Sequence, residues 1–125
     1  MNYTSDSELP EVTDQQLHQS LARTKPFTLV VLKAGPKFLG AGDRDPEITS
    51  TIWAHGKRNL ALRSAGLMPV ICPVSDGSDL AGVAVLDATP EEADQIMAGD
   101  PAVRSGILTY EVHPTRSFPG DRLPD

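Results

Sequence analysis

The chain is predicted to adopt an α+β, ferredoxin-like βαββαβ fold, a four-stranded antiparallel sheet with both core helices on one face. Three observations lead there. The predicted elements run strand, helix, strand, strand, helix, strand. The second strand, LMPVICPV, carries Pro69 and Pro73, a density tolerated only at a sheet edge or a bulge, and this topology puts that strand at an edge. Strands one and three are apolar on both parities, although two helices can cover only one face. The other face calls for a second sheet, and for a chain of 125 residues the economical source is an identical subunit. The expected partner is therefore the chain itself, as a homodimer or a higher even oligomer closed about a two-fold axis.

Each element has its own signal. Residues 1–12 mix Ser, Asp, Glu and Pro and are expected to be a flexible acidic terminus. Thr13 and Gln16 have capping-box spacing, and Leu17 and Leu21 fall four apart, so a short extra helix is predicted within residues 13–25. The domain proper is read as 26–114. FTLVVLK, residues 27–33, is the first strand, and AGPKFLGAGDRDP is read as a loop. Pro46 and Glu47 suit a first helical turn, and Ile48, Ile52, His55, Asn59 and Leu62 then share one face of a helix that stops at Gly66. After the edge strand and the turn SDGSD comes LAGVAVLDA, the third strand. Thr89, Pro90, Glu91 and Glu92 start a second helix, broken at Gly99-Asp100-Pro101. A short turn leads to ILTYEVH, a final strand expected to end at His113, before a Pro-rich tail over 115–125.

Composition excludes several function classes. A formal charge of −6 argues against a polyanion, so nucleic acid is not an expected partner. No stretch reaches the 18 apolar residues of a membrane span, and the acidic start lacks a signal peptide's basic and apolar segments. A cytoplasmic address is expected, in keeping with the lone Cys72. The three histidines, at 18, 55 and 113, lack ligand spacing, so no metal is expected. There is no P-loop, dinucleotide fingerprint or Ser/His/Asp signature, and no cofactor is expected.

Over roughly Phe27 to Pro114 the sequence resembles the YCII-like proteins of the dimeric α/β barrel group. TLVVLKAGP resembles that family's first strand and turn, AHGKRNLALRSAGLM its HLxxLRxLxxAGxL helix, and LAGVAVLDATPEEADQIMAGDPAVRSGILTYEVHP its closing segment. The resemblance implies a His/Asp pair, which falls on His55 and Asp100. It also implies small-molecule chemistry, since one branch of the family eliminates HCl from a chlorinated hydroxyquinone. The helix departs from the pattern at Gly56, where the family has leucine, and at Asn59, where an apolar residue is commoner.

His55 is a titratable ring on a stripe otherwise committed to the core. A carboxylate beside it would fix its tautomer and make it an oriented general base. Asp100, at the break after the second helix, is the candidate carboxylate. Two readings stand side by side: a catalytic pair, or a core histidine bonded to a backbone carbonyl with Asp100 capping the turn before Pro101. Asn59, one turn on, has two readings as well, a ligand bond in the same pocket or a bond to a loop carbonyl. Gly56 weakens its helix, with close packing as the expected reason. Trp53 and Arg58 lie off the core stripe, with surface or dimer contact or a place at a pocket rim as their readings. Lys33 and Lys37 are candidates for gathering an anionic substrate near the end of strand one. Tyr110 is a substrate-binding candidate, expected to pack at the dimer sheet.

The predicted function is a small cofactor-independent enzyme acting on a small aromatic or enolisable molecule. His55 and Asp100 are its catalytic residues and Asn59, Lys33 and Tyr110 its substrate-binding residues. The alternative is a non-catalytic ligand-binding or accessory module built on the same pocket.

Overall fold

Strand β1 (Lys25–Ala34) lies inside the sheet because it is apolar on both parities, and the order is β2-β3-β1-β4, with β2 at Val70–Pro73, β3 at Leu80–Leu86 and β4 at Leu108–Ser117. These features come from a computed structural model, which describes residues 3–41 and 45–125. The antiparallel pairing of β1 with β3 matches Val30 to Ala84 and Thr28 to Leu86. The pairing of β2 with β3 matches Ile71 to Ala84. β2 is an edge strand, and its prolines bracket it: Pro69 precedes the strand and Pro73 ends it. The fold is α+β and ferredoxin-like.

The register decides which residues meet the helices. Thr28, Val30, Leu32, Ala84 and Leu86 are buried, and their alternation places Leu29, Val31, Val83 and Val85 on the opposite face, where they are half-buried. The core lies between the first set and helices α3 (Pro46–Ser64) and α4 (Pro90–Ala98), through Ile48, Ala93 and Met97. Thr28 is polar yet fully buried, and its hydroxyl donates to the Ala88 carbonyl at 2.8 Å.

Helix α3 starts as its sequence requires, with Pro46 in the first turn and the Asp45 carboxylate accepting from the Glu47 amide. It ends at Gly66, whose φ of 80° is the left-handed conformation glycine adopts freely. α4 begins with a full capping box between Thr89 and Glu92.

Three local expectations are corrected. The stretch read as a loop after β1 contains a helix, α2 (Pro36–Ala41), which Pro36 opens at a position where its missing N–H costs nothing. Residues 42–44 of that stretch lie outside the described ones. The turn after α4 contains another helix, α5 (Pro101–Arg104), packed against both α3 and α4. β4 does not end at His113 but runs through Pro114 to Ser117. Proline is allowed there because β4 is the other edge of the sheet.

The chain divides into two compact units, Pro26–Arg116 and the N-terminal stretch up to Lys25 together with Ser117–Asp125. In the smaller unit, residues 3–12 are all exposed apart from any regular packing, with one 3₁₀ turn at Asp6–Glu8. The helix α1 (Asp14–Ala22) carries the Thr13–Gln16 capping box and buries none of its residues. No helix among the described residues is long and apolar enough to cross a membrane.

Gly35 closes β1 against the start of β4. A Cβ there would sit 2.4 Å from the Gly106 carbonyl oxygen and 3.0 Å from the Ile107 backbone. Backbone cannot yield as a side-chain end can. Gly35→Ala should therefore lower stability by about 1–3 kcal/mol in urea denaturation, the usual cost of overpacking; an unchanged midpoint would contradict this close approach.

Candidate functional site

Asp100 is fully buried and stands at the N-cap of α5, where its Oδ2 accepts from the amides of Ala102 at 3.0 Å and Val103 at 3.2 Å. Its other oxygen, Oδ1, lies 2.7 Å from His55 Nδ1 on α3. Because α5 packs on α3, the carboxylate is carried to the histidine by the same packing that builds the core. A carboxylate can only accept, so Nδ1 carries the proton and donates, and the neutral ring presents its lone pair at Nε2. Asn59 Nδ2 stands 3.2 Å from that nitrogen and donates to it. The three side chains form a chain of hydrogen bonds, Asn59 to His55 to Asp100.

The electrostatics follow from these contacts. Burial on its own would raise the Asp100 pKa, but the His55 hydrogen bond, the charge of that ring in its imidazolium form, and the Val103 and Ala102 amides outweigh it and hold the carboxyl below its ordinary value. Arg58 adds a cation near the same oxygen, its Nη1 3.9 Å from Asp100 Oδ1, beyond a hydrogen bond but within Coulombic reach. Two buried polar atoms near this group make no hydrogen bond to protein: Arg58 Nη1 and Asn59 Oδ1.

His55 and Asn59 line an open cavity of about 870 Å³ between α3, the start of α2, β2 and the turn before β3. The walls are largely apolar, with Ile52, Ile71, Leu80 and Leu108 among them. Trp53 stands at the rim, the minority reading of its position. Arg58 is not part of the wall; it supports Asp100 from behind. Gly56 also lines the cavity, and a Cβ placed there would meet nothing within 4 Å. The expectation that close packing explains this glycine is thus corrected: it costs the helix about 1 kcal/mol relative to alanine, and no neighbour requires it.

The other sequence candidates lie elsewhere. Lys33 is on the opposite face of the sheet, paired with Glu111 at 3.1 Å, and Glu111 also accepts from His113 at 3.1 Å. Lys37 borders a smaller cavity of about 410 Å³ with Asp45 and Glu47. Tyr110 is on the helix face rather than the free sheet face, because β4 alternates with Leu108 buried. Its hydroxyl donates to Asp94 Oδ1 at 2.6 Å, and that bond, then burial and the Asp94 charge, push its pKa up to about 12. Tyr110 is not among the residues that line the cavity. Among the described residues, no group of three or more His, Cys, Asp or Glu is arranged to hold a metal ion.

The sequence predicts Arg58 at a surface or dimer contact or a pocket rim; its place beside Asp100 corrects that, and one signal points there. Arg58 lies three residues after His55, and positions three apart share a helix face. Gly35 had no such signal, since nothing local marks which backbone will cross it.

Asp100 ties fold stability to pH. A carboxyl whose folded pKa is depressed stabilises the fold above its unfolded value, and that contribution disappears as pH falls through the folded value. Asp100→Asn should cost about 1–3 kcal/mol near neutral pH, by unpairing His55 and weakening the α5 cap. In urea titrations the gap from the parent should narrow as pH drops below the usual carboxylate range. A gap that stays constant into acid would show that Asp100 is not the stabilising carboxylate.

No protein-family model matches the chain, and no curated protein matches it. Among solved structures, the chain is similar to 5-chloro-2-hydroxyhydroquinone dehydrochlorinase (TftG) from Burkholderia phenoliruptrix AC1100, in complex with 2,5-dihydroxybenzoquinone. The TM-score is 0.50 and the identity 19%, over 70% of this chain and 90% of that one. At that identity the likeness is one of fold, and it agrees with the ferredoxin-like sheet order described above.

Proposed function

We propose that the chain is a cofactor-independent enzyme that moves a proton on a small aromatic or enolisable molecule, in an elimination or an isomerisation. The observation that carries this is the 2.7 Å bond from His55 Nδ1 to the wholly buried Asp100, with the ring at the wall of a largely apolar cavity. An aspartate in this position fixes the tautomer that a base needs and stabilises the imidazolium as it forms.

The mechanism follows from the atoms present. An acidic O–H or C–H of the ligand takes the place of the Asn59 amide at His55 Nε2. The proton passes to Nε2, while Nδ1–H stays on Asp100. In an elimination, the electron pair of the broken C–H bond becomes the new double bond and the leaving group departs with its own pair. A positioned base of this kind contributes about 10²–10⁴-fold, enough for an already acidic substrate. The similar structure is of a protein named a dehydrochlorinase, so elimination from a hydroxylated ring is the reaction class to try first.

The same proposal places the chain among the YCII-like proteins and pairs two copies through the free sheet face. Leu29, Val31, Val83 and Val85 form an apolar patch there, which a second sheet would cover. A cytoplasmic location goes with this reading.

One observation favours the alternative, a binding module without chemistry: the lone pair of His55 Nε2 is already occupied by Asn59. The decisive experiment offers 5-chloro-2-hydroxyhydroquinone and simple enolisable ketones to the protein. Chloride release and solvent hydrogen exchange are then followed by ion electrode and NMR. The enzyme reading expects turnover that His55→Ala abolishes while the variant, destabilised by the unpaired Asp100, still melts cooperatively above the assay temperature. Saturable binding with no exchange and no chloride would establish the alternative instead.

A further inference from the structure

We infer that the cavity takes an uncharged, bulky apolar molecule of two or more fused rings bearing one hydroxyl, and that Gly56 sets this size. The inference rests on the proposed site only in putting the hydroxyl at His55; it concerns occupancy, not turnover.

Size comes first. A cavity of about 150 Å³ is enough for benzene, and this one is about 870 Å³. A single ring would leave most of it to water or empty, forfeiting contact along the apolar walls. The room extends to the residue next to His55, because Gly56 has no side chain and a Cβ there would find open space. A glycine inside a 19-residue helix weakens it, and neither a tight neighbour nor a positive φ accounts for this one. What it does provide is volume beside the base.

Polarity and charge narrow the ligand further. Large apolar side chains stand open at the mouth, Trp53 at 69% exposed and Leu60 at 58%. Exposed apolar surface of this kind around a cavity marks a site for an apolar body. The charged residues of the wall, His55 aside, are Asp76, Asp79 and Lys57, so a carboxylate ligand would meet more repulsion than attraction. His55 Nε2 is an acceptor once Asn59 turns aside, and an acceptor asks for a ligand O–H. Asn59 is itself 7% exposed, with Oδ1 unbonded in the protein, so a ligand hydroxyl that draws the amide away from Nε2 breaks one hydrogen bond and leaves the rest of the dyad as it was.

The test is calorimetric titration of the full chain with 2-naphthol, phenol and 2-naphthoate, repeated on Gly56→Leu, Gly56→Ala and His55→Ala. Trp53 is the sole tryptophan, so its one indole N–H peak in a ¹⁵N spectrum reports binding at the mouth. The parent should bind one 2-naphthol per chain with a shift of that peak, and 2-naphthoate about tenfold more weakly. Gly56→Leu should weaken 2-naphthol by about tenfold or more while changing phenol less than about threefold, the size discrimination that a few methylenes give. Gly56→Ala should fall between and melt higher than the parent; it decides the matter if the leucine variant does not fold. His55→Ala should weaken 2-naphthol by about three- to tenfold, the share of one hydrogen bond in a binding supplied mostly by the apolar body. Absence of saturable 2-naphthol binding, equal affinity for 2-naphthoate, or equal effects of the Gly56 variants on both phenols would each overturn the inference. The two proposals fail separately: intact naphthol selectivity without any turnover defeats only the catalytic reading, and turnover without size selection defeats only this one.

Discussion

The carboxylate of Asp100 has two oxygens and two tasks, and the rest of the site depends on its doing both. One oxygen caps α5 through the Ala102 and Val103 amides; the other holds His55 Nδ1. The two readings of this residue that the sequence leaves open, a turn cap and a histidine partner, are therefore not rivals. Capping fixes the carboxylate rigidly to a short helix that packs on α3, and rigidity is what lets it orient a ring on that other helix. A free surface aspartate at the same distance would have to be ordered at the moment of binding.

The sheet register divides the charged groups as firmly as it divides the apolar ones. With Val30 and Leu32 turned to the helices, Lys33 is turned away from them and meets Glu111 on the neighbouring strand. Tyr110, one position from Glu111, turns the other way and reaches Asp94 on α4. The cavity is thus left with few charges of its own, and the ionic groups of the free face, Lys33, Glu111 and His113, satisfy one another across two strands.

How much of this is legible in the sequence depends on the kind of signal. Element order, the capped helix starts and the edge strand are legible because they rest on local chemistry: Thr89 before Pro90, Asp45 before Pro46, prolines at both ends of β2. The side of the sheet on which Lys33 falls is not. When a strand is apolar on both parities, period-two alternation carries no sign, and only the helices decide which parity is inside. The helices α2 and α5 are short and proline-initiated, and a proline beside glycine reads equally as a turn. His55 and Asp100 were brought together by family resemblance; spacing could not have shown it, since 45 residues separate them and the contact is made by packing of α5 on α3.

Helix α3 concentrates the cost of the site. A helix built only for stability would have a leucine or alanine at Gly56 and an apolar residue at Asn59, since one position has room to spare and the other is buried. Here the residue next to His55 and the residue one turn beyond it depart from that rule in complementary ways. Gly56 removes bulk next to the ring, and Asn59 adds an amide whose nitrogen reaches Nε2 while its oxygen stays without a protein partner. Either departure alone could be a tolerated irregularity. Together they leave a base that is oriented from behind by Asp100, held from the side by a displaceable amide and open in front, and local rules of stability are most often broken where a site needs such an arrangement.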